Sequence, residues 1–461
     1  MPQQALAASS SVSTLPTTIQ SVLKRFKLDG KGLSIVVQPI DGGAPLLSYN
    51  QHSARNPASA IKLFTSYAAL EMLGPAYQWS TELYADGELK DGVLNGDLWI
   101  KGGGDPYLPI ERMWLLVHRL QTSGLHTIKG DLIIDQSLFE AINEDPGAFD
   151  RQPLRAYNVV PSALVSNFNV STFLFKPANT GRGVDVQIVP NLDGLKVVNN
   201  LRTVNRSCRG YNRGIAINVD DKGQVILDGQ FPSRCKIYGM SRSVMPRDTY
   251  TARLFRKLWL ESGGQWEGHL RTDRKEFEQD PLLKFDSVFL SQAVRSINKY
   301  SNNVMTRMLF LTLGLEKFGA PATTENARLA MDQWLPTKGV PLKNLMIDNG
   351  AGSSRQTRAT ADQFAKLLSA AWQSQYMPEL LSSMAISGED GTFARRHVVG
   401  PLKGRAHLKT GRLDHAVSMA GIVQAASDKR YIVVSLHNAN DAHRGSGHAV
   451  QDALLRWVYA Q

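Results

Sequence analysis

At 461 residues and 50.8 kDa, the chain is long enough for two or three domains with buried cores. Hydrophobic residues make up 43% and charged residues 20%, an ordinary globular composition that excludes a disordered chain. The sequence has no run of about eighteen apolar residues, which excludes a transmembrane helix. It has no repeat of roughly twenty to fifty residues, which excludes a solenoid or a propeller.

The net charge of +11 is concentrated in one part of the chain. Residues 166–275 carry 18 basic and nine acidic side chains, which gives this segment a charge of +9. A positive field attracts polyanions such as nucleic acid, anionic lipid or an acidic wall polymer, although a merely solvated basic face is an equal alternative. Nucleic acid is the least favoured partner, because the basic residues match none of the usual reading modules.

The two cysteines and the first residues bear on the compartment. Cys208 and Cys235 lack zinc-ligand spacing, and either a disulfide or two buried thiols fits them. The N-terminus lacks the basic and apolar regions of a signal peptide, yet Ala5-Leu6-Ala7 resembles the end of one. We therefore expect a chain that begins near a mature, exported N-terminus and a periplasmic location, where a disulfide persists.

The hydrophobic patterns predict a chain that alternates between helical and strand-rich stretches. A helix over 19–26 and a strand from Leu33 precede a helix over 59–73, which Gly74-Pro75 ends. Short strands follow over 80–165, and residues 166–275 are predicted to be mostly β. The last predicted elements are helices at 304–318 and 360–374, strands at 407–411, 418–424 and 431–436, and a helix at 448–459. Packing against the sheet is favoured for this last helix over a membrane anchor.

The first motif with chemistry is Ser59-Ala-Ile-Lys62, at the start of the helix predicted over 59–73. Residues at i and i+3 share a helix face, and the positive end of the helix dipole favours negative charge that develops there. A Ser–Lys pair is a nucleophile and its base. The spacing alone is weak, because S-x-x-K also occurs at Ser21, Ser233 and Ser296, and an N-cap serine explains it equally simply.

A lysine base needs a second feature of the site, namely a lowered pKa. The pKa of about 10.4 must fall by roughly three units, about 4 kcal/mol, which burial and a neighbouring cation can supply. Lys409-Thr410-Gly411 offers that cation and occurs once, on a predicted strand. A Lys and a hydroxyl there can bind a substrate carboxylate, and Gly411 lets a substrate backbone approach. An ordinary exposed Lys-Thr-Gly is the alternative for this motif alone.

The third motif is Ser301-Asn302-Asn303, in a predicted turn before a helix. The Ser301 hydroxyl could relay a proton to a leaving amine, and Asn303 could hold the substrate amide. S-x-N also occurs at Ser48 and Ser296, so this motif is weak by itself. The order S-x-x-K, S-x-N, K-T-G is specific. No metal or cofactor is expected, because no ligand spacing joins the histidines, which we expect at the surface: His437, His443 and His448.

The three motifs are the signature of penicillin-binding proteins and serine β-lactamases. Over nearly its whole length the chain resembles the D-alanyl-D-alanine carboxypeptidase/endopeptidases of the penicillin-binding protein 4 family (low-molecular-mass class C, peptidase family S13). The family usually has Ser-Asp-Asn where this chain has Ser301-Asn302-Asn303, so the departure is at the middle residue. The family carries two extra domains between the first two motifs, in agreement with the 239 positions from Lys62 to Ser301. Further similar segments are Asn56–Thr65, Leu98–Leu108, Tyr157–Leu164, Asn167–Asn169 and Asp348–Arg355.

The resemblance implies an α/β (α+β) fold. The expected architecture is a transpeptidase domain of the penicillin-binding and serine β-lactamase type, with an antiparallel sheet flanked by helices and interrupted by two β-rich inserted domains. The predicted boundaries are 1–80 and 285–461 for the catalytic domain, 81–165 and 266–284 for the second domain, and 166–265 for the basic, β-rich third domain.

The resemblance also implies a serine-type D-Ala-D-Ala carboxypeptidase and D,D-endopeptidase, a hydrolase that acts on peptidoglycan stem peptides and cross-links without a cofactor. Ser59 would attack the D-Ala carbonyl while Lys62 takes its proton. The backbone N–H groups of Ser59 and Arg412 would bind the oxyanion. Ser301, near Lys62 and Lys409, would pass the proton to the leaving amine. β-Lactams would acylate Ser59 and inhibit the enzyme.

Substrate binding is assigned in the same way to Thr410, Gly411 and Arg412. Asp150 lies where the family places an acidic group that recognises the amine of the peptide stem. The expected partners are peptidoglycan peptides and β-lactams, with a weak association with a membrane or wall surface left open. The sequence does not predict the oligomeric state.

Two other classes of function are compatible with the motifs. A β-lactamase would turn β-lactams over quickly, and Tyr300-Ser-Asn302 also reads as the Y-x-N motif that would make Tyr300 catalytic. The long insertion between Lys62 and Ser301 argues against this Y-x-N interpretation. A non-catalytic wall-binding or β-lactam-sensing protein would use the basic insert, although the three intact motifs argue against an inactive enzyme.

Overall fold

The computed structural model describes residues 14–179, 181–208, 214–394, 396 and 400–461. Ala5–Ala7, which carries the expectation of an exported N-terminus, lies outside them. The described chain forms two compact units. The first unit runs to Tyr77 and resumes over Val288–Gln461, and the second unit is Gln78–Ser287. The predicted division of the insert into two domains stays a prediction.

The helices of the described residues are α1 (Thr17–Arg25), α2 (Lys62–Leu73), α3 (Ile110–Thr122), α4 (Arg247–Glu261), α5 (Leu290–Tyr300), α6 (Asn303–Phe318), α7 (Thr324–Trp334), α8 (Ala361–Gln373), α9 (Met377–Ser383) and α10 (Ser446–Tyr459). The strands of the first unit and of the first part of the second unit are β1 (Leu33–Pro39), β2 (Leu47–Tyr49), β3 (Ser80–Lys90), β4 (Val93–Lys101), β5 (Thr127–Ile128) and β6 (Leu132–Asp135). The next strands are β7 (Ser171–Pro177), β8 (Val184–Val189), β9 (Val197–Asn199), β10 (Arg202–Val204), β11 (Ile215–Val219), β12 (Val225–Pro232) and β13 (Tyr238–Arg242). The last strands are β14 (Gln265–Trp266), β15 (Leu270–Thr272), β16 (Leu283–Asp286), β17 (Ala385–Ile386), β18 (Ala406–Leu413), β19 (Ala416–Gln424) and β20 (Arg430–Asn438).

The first unit is built on a six-stranded antiparallel sheet in the order β17-β18-β19-β20-β1-β2. The hairpins β18–β19 and β19–β20 confirm the strands predicted over 407–436, each extended by a few residues. The hydrophobic runs of these strands are buried on both faces, as expected for a sheet covered by helices.

Helices cover both faces of this sheet, which confirms the predicted antiparallel sheet flanked by helices. On one face, α1 and α10 share a core with the sheet through side chains such as Ile19, Ile35, Met419 and Leu454. On the other face, α8 packs against β1 and β20. The C-terminal helix therefore packs on the sheet, as predicted. No described helix is long and apolar enough to cross a membrane.

The start of the helix predicted from Ser59 differs from the expectation. Ala58–Ile61 form a 3₁₀ turn, and α2 begins only at Lys62. The residue Ala58 has a left-handed φ of 47°, which an α-helix does not accommodate. Beyond this turn, α2 is buried along most of its length and packs against α5 and α6.

The second unit contains three sheets. A seven-stranded sheet follows the order β14-β5-β4-β3-β16, with β6 and β15 attached, and it shares a core with α3 and α4. A three-stranded sheet, β13-β7-β8, and a four-stranded sheet of β9–β12 enclose a second core with Phe173, Phe175 and Phe231 at its centre. Cys208 and Cys235 are joined by a disulfide, with Cα atoms 5.1 Å apart.

The prediction that residues 166–275 are mostly β is wrong over Arg247–Glu261, where α4 lies. Pro246 precedes the helix, and its fifteen residues include only two β-branched side chains, Thr249 and Thr251, in a sequence with helical periodicity. Its apolar face, with Leu254, Phe255 and Trp259, packs in the same core as the seven-stranded sheet. This helix thus shares its core with the strands of the seven-stranded sheet, from Leu83 on β3 to Phe285 on β16.

Candidate active site

The backbone around Ser59 is fixed by contacts on both sides. The Asn56 N–H donates to Asn438 Oδ1 at 2.7 Å, and Asn438 Nδ2 donates back to the Asn56 carbonyl at 3.0 Å. The left-handed Ala58 that follows costs about 1–3 kcal/mol, so it persists only where its surroundings define it. Gly352 helps to define it, because a Cβ there would lie 2.0 Å from the Ala58 carbonyl oxygen. Ser59 is thereby held half-buried in one conformation.

Strand β18 packs directly against the Ser59 turn at Gly411. A Cβ on Gly411 would lie 2.7 Å from the Ser59 nitrogen and 2.6 Å from the Pro57 carbonyl oxygen. The neighbouring Ser418 hydroxyl donates to that same carbonyl. The missing side chain therefore lets the strand contact the turn that carries Ser59. The close approach of a substrate, which was expected at this glycine from the sequence, stays a prediction.

Lys62, the first residue of α2, is fully buried beside Ser59. Its Nζ lies 3.0 Å from Ser59 Oγ, 2.7 Å from Asn303 Oδ1 and 2.5 Å from the Ala351 carbonyl oxygen. A neutral amine has two N–H groups and one lone pair. The two carbonyl oxygens accept the N–H groups, which leaves the lone pair for the Ser59 hydroxyl.

The environment of Lys62 also favours the neutral amine. Burial, and secondly the nearby Lys409, hold the pKa of Lys62 well below its ordinary value of 10.5. The lowered pKa that the sequence analysis required of a lysine base is therefore present, with the two causes it named.

Lys409 is buried on β18 and contacts the third motif. Its Nζ donates to Ser301 Oγ at 2.9 Å and to the Thr410 carbonyl at 2.7 Å. Burial lowers the pKa of Lys409 to about 7. Near neutral pH this lysine can therefore give or take a proton, and Ser301 is the side chain through which it would do so.

The turn between α5 and α6 places Ser301 against Lys409. Ser301 has a left-handed φ of 58° at the end of α5. Asn302 begins α6 by accepting the Met305 N–H at 3.1 Å, so its side chain serves the helix and not the site. Asparagine and aspartate are both good N-cap residues, which accounts for Asn302 where Ser-Asp-Asn is usual. Tyr300, the alternative catalytic residue, is 72% exposed and on the surface.

A cavity of about 560 Å³ opens over Ser59. Ser301, to which the sequence analysis assigned proton relay, lines it together with Thr410, Gly411 and Arg412, to which it assigned substrate binding; these roles stay predictions. Thr392, whose hydroxyl lies 2.8 Å from that of Thr410, was not expected from the sequence. The cavity is also lined by four side chains that were not expected from the sequence, which are Arg396, His448, Gln451 and Asp452. The spacing of the motifs does not indicate these residues, because only the fold brings them next to β18.

Asp150 lies in the second unit, where its carboxylate is held by neighbours in sequence. It accepts from the Tyr157 hydroxyl at 2.7 Å, from Asn158 Nδ2 at 2.7 Å and from the Gln152 N–H at 3.0 Å. Burial, together with Asp150, raises the pKa of Tyr157 to about 12. The predicted role of Asp150 toward a substrate amine stays a prediction.

The histidines do not all lie at the surface. His437 is buried on β20, contrary to expectation, and burial lowers its pKa to about 4. His415, Asp441 and His443 could place three ligand atoms within 4.8 Å of one another. However, the His443 Nδ1 accepts the His415 N–H at 2.9 Å, and the His415 Nδ1 accepts the Asp441 N–H at 3.1 Å. These contacts order the turn after β18, and the absence of a metal requirement stays a prediction.

The family comparison agrees with this geometry. A model of the D-Ala-D-Ala carboxypeptidase 3 (S13) family matches residues 15–461. The chain belongs to this family. The D-alanyl-D-alanine carboxypeptidase DacB of Haemophilus influenzae is 24% identical, over 94% of this chain and 91% of its own length. A D-alanyl-D-alanine carboxypeptidase of Actinomadura sp. (strain R39) is 26% identical, over 98% of this chain and 86% of its own length.

Solved structures show the same fold. The crystal structure of penicillin binding protein 4 (dacB) from Haemophilus influenzae matches with a TM-score of 0.81 at 22% identity, over 97% of this chain and all of that one. A penicillin G-acylated predatory endopeptidase from Bdellovibrio bacteriovorus matches with a TM-score of 0.53 at 16% identity, over 92% of this chain and 90% of that one. The α/β fold of the penicillin-binding type, with additional β-rich sheets, is confirmed.

Proposed function

We propose that the protein is a serine-type D-Ala-D-Ala carboxypeptidase and D,D-endopeptidase that cleaves peptidoglycan stem peptides and cross-links. The observation that carries the proposal is the pair of contacts from Ser59 to Lys62 and from Ser301 to Lys409 around one cavity. Membership of the S13 family supports it, as do the carboxypeptidase names of the relatives and the acylated endopeptidase of similar fold.

Acylation begins with the Ser59 hydroxyl. Its oxygen attacks the carbonyl carbon of the scissile D-Ala bond while neutral Lys62 takes the proton. The oxyanion that forms accepts from the backbone N–H groups of Ser59 and Arg412. The C–N bond then breaks, and the leaving amine takes a proton from the Ser301 hydroxyl, which Lys409 replenishes. Lys409 regains a proton as Lys62 gives up the one it took from Ser59, so both lysines return to their starting states before deacylation.

Deacylation repeats these steps with water as the nucleophile. Lys62 takes a proton from water, the hydroxide attacks the ester carbon, and the Ser59 oxygen leaves with the proton that Lys62 returns. Asn303 holds the substrate amide during both steps and keeps Lys62 oriented through its side-chain oxygen. No cofactor takes part in either step.

β-Lactams would act as covalent inhibitors, because the opened ring keeps the leaving group attached to the ester. Peptidoglycan is found outside the cytoplasm, and we propose a periplasmic location on that ground. The disulfide between Cys208 and Cys235 supports an oxidising compartment.

The test is the intact mass of the protein after incubation with a penicillin, beside the Ser59→Ala variant. We expect one stable adduct on the unmodified chain and none on Ser59→Ala, with D-alanine released from a pentapeptide by the former alone. Lys62→Ala should slow acylation by orders of magnitude. Rapid loss of penicillin without an adduct would instead indicate a β-lactamase, and neither adduct nor loss would indicate a binding protein.

A further inference from the structure

Gln451, on α10, is a buried polar side chain without a purpose in the mechanism above. It is 0% exposed and lines the cavity over Ser59. Among the described residues, neither its Oε1 nor its Nε2 has a hydrogen-bond partner. Folded proteins keep few such groups, because the loss of hydration without a replacement is unfavourable. An amide retained here indicates a ligand that supplies the missing donor and acceptor.

The charged residues around Gln451 are largely neutralised by one another. Arg396 Nε donates to Asp452 Oδ1 at 3.0 Å, and Arg396 Nη2 donates to the His448 carbonyl at 3.0 Å. Burial, followed by Arg396 and Arg412, lowers the pKa of His448 to about 4, so this imidazole is neutral at pH 7.

Arg412 supplies the remaining charge of the cavity. Its side chain is exposed and makes no ion pair within the described part of the chain. The cavity therefore combines one available cation with one neutral amide. This combination suits a ligand with a carboxylate and a further hydrogen-bonding group.

The position of the cavity indicates which part of a substrate it takes. Ser301 and Thr410 line it, whereas Asn303, which holds the acyl part in the proposed mechanism, is not among its described lining residues. The cavity thus lies on the side of the departing amine. Its volume of about 560 Å³ is within the range that holds drug-sized ligands, far more than a single alanine needs.

We propose that this cavity is a leaving-group subsite in which Gln451 selects an amine that belongs to a second peptide. The amide of Gln451 pairs with a peptide amide of the departing strand, and Arg412 pairs with the carboxylate beside the departing amine. Gln451 then favours cleavage of cross-links over release of free D-alanine. The inference rests on the proposed function, since it assumes acylation of Ser59.

The test compares Gln451→Leu with the unmodified full-length chain on two substrates, a cross-linked muropeptide dimer and a pentapeptide stem. We expect kcat/KM for the dimer to fall about tenfold, equivalent to about 1.4 kcal/mol. D-alanine release and the rate of penicillin acylation should change less than about twofold. The melting temperature should stay equal or rise, because leucine removes an unpaired buried amide.

Two further variants sharpen the comparison. Gln451→Glu keeps the size of the side chain but loses the N–H donor, and it should also lower dimer cleavage selectively. Arg456→Leu, on the exposed side of α10, should leave both activities unchanged.

The outcomes separate this inference from the proposed function. An unchanged dimer cleavage in Gln451→Leu, or an equal fall on both substrates with a lower melting temperature, would overturn the subsite. So would an unmodified chain that is acylated by penicillin but cleaves only the pentapeptide. Absence of any penicillin adduct on the unmodified chain would overturn the proposed function first, before any Gln451 variant is compared.

Discussion

Two buried lysines determine the chemistry at the scale of single residues. Burial and, secondly, Lys409 hold the pKa of Lys62 well below its ordinary value, and the two carbonyl partners of a neutral Lys62 would orient its lone pair toward Ser59. Lys409 has a pKa of about 7 because it is buried, although a free lysine titrates near 10.5. In water each of these amines would be protonated, and burial disfavours that charged form, which opposes folding. The site is therefore retained at the expense of stability.

This conflict predicts the pH dependence of unfolding. Between about pH 7 and pH 10.5 the unfolded chain keeps a proton on Lys409 that the folded chain has lost, so stability rises with pH across that window. Lys409→Met should reduce this slope and raise the unfolding free energy at pH 7 by roughly 1–4 kcal/mol while it abolishes acylation. Urea unfolding at several pH values measures it. An unchanged slope, or a less stable Lys409→Met, would contradict the argument.

At the scale of elements, the last turn of α5 is bonded to residues on both sides of β17. Lys299 Nζ donates to the Met384 carbonyl at 2.9 Å and to the Asp390 carboxylate. Burial alone would raise the pKa of Asp390. The hydrogen bond from the Ile386 N–H and the interaction with Lys299 outweigh burial and hold this pKa below its ordinary value. Thr392, two residues on, contacts Thr410 on β18. The ion pair therefore positions both α5, which carries Ser301 at its end, and the cavity wall.

We predict that Asp390→Ala destabilises the protein by about 3 kcal/mol, because the Lys299 side chain, only 3% exposed, loses its counter-ion. Acylation by penicillin should also slow, since the Ser301 turn is less well held. The double variant with Lys299→Met should be more stable than Asp390→Ala, because no buried charge remains. A double-mutant cycle from urea unfolding measures the coupling. Simple additivity of the two single variants would show that the pair does not act as a unit.

The elements also show what a sequence can predict. Ser59, Lys62, Ser301 and Lys409 follow from motif order, and the structure brings them together, because each motif is local and its spacing is visible. The 3₁₀ turn before α2 and the helix α4 were missed, since tertiary contacts fix the first and shared core packing fixes the second. The Ala351 carbonyl and Gln451 gain their roles only from the fold, and no residue type or spacing indicates them in advance.

At the scale of the whole molecule, the first unit contains everything that the proposed acylation uses. The chain leaves it after Tyr77 and returns at Val288. The Leu290 N–H donates to the Tyr77 carbonyl at 2.8 Å, and the Ser291 N–H donates to the Pro75 carbonyl at 3.1 Å. The two ends of the insertion are therefore adjacent within the first unit. The core of α1, α10 and their sheet lies wholly in that unit, and the cores around α3, α4 and Phe231 lie in the second.

This arrangement predicts that a short Gly-Ser linker can replace Gln78–Ser287. The shortened chain should fold and form a penicillin adduct on Ser59, within about tenfold of the normal rate, because its core and its catalytic groups are complete. Intact mass and thermal unfolding measure both properties, with Ser59→Ala in the shortened chain as the control. A folded product that is not acylated would show that the insertion contributes to the acylation site.

The same pair of proteins tests the predicted role of Asp150, which the shortened chain lacks. If Asp150 recognises a stem amine, the full-length protein prefers peptides with a free amine over blocked ones, and the shortened protein loses that preference. Asp150→Ala in the full-length chain should lose it as well, while penicillin acylation stays normal, because the carboxylate lies outside the unit that carries Ser59. A preference that survives both changes would assign amine recognition to the first unit, whose charged groups would then have to supply it.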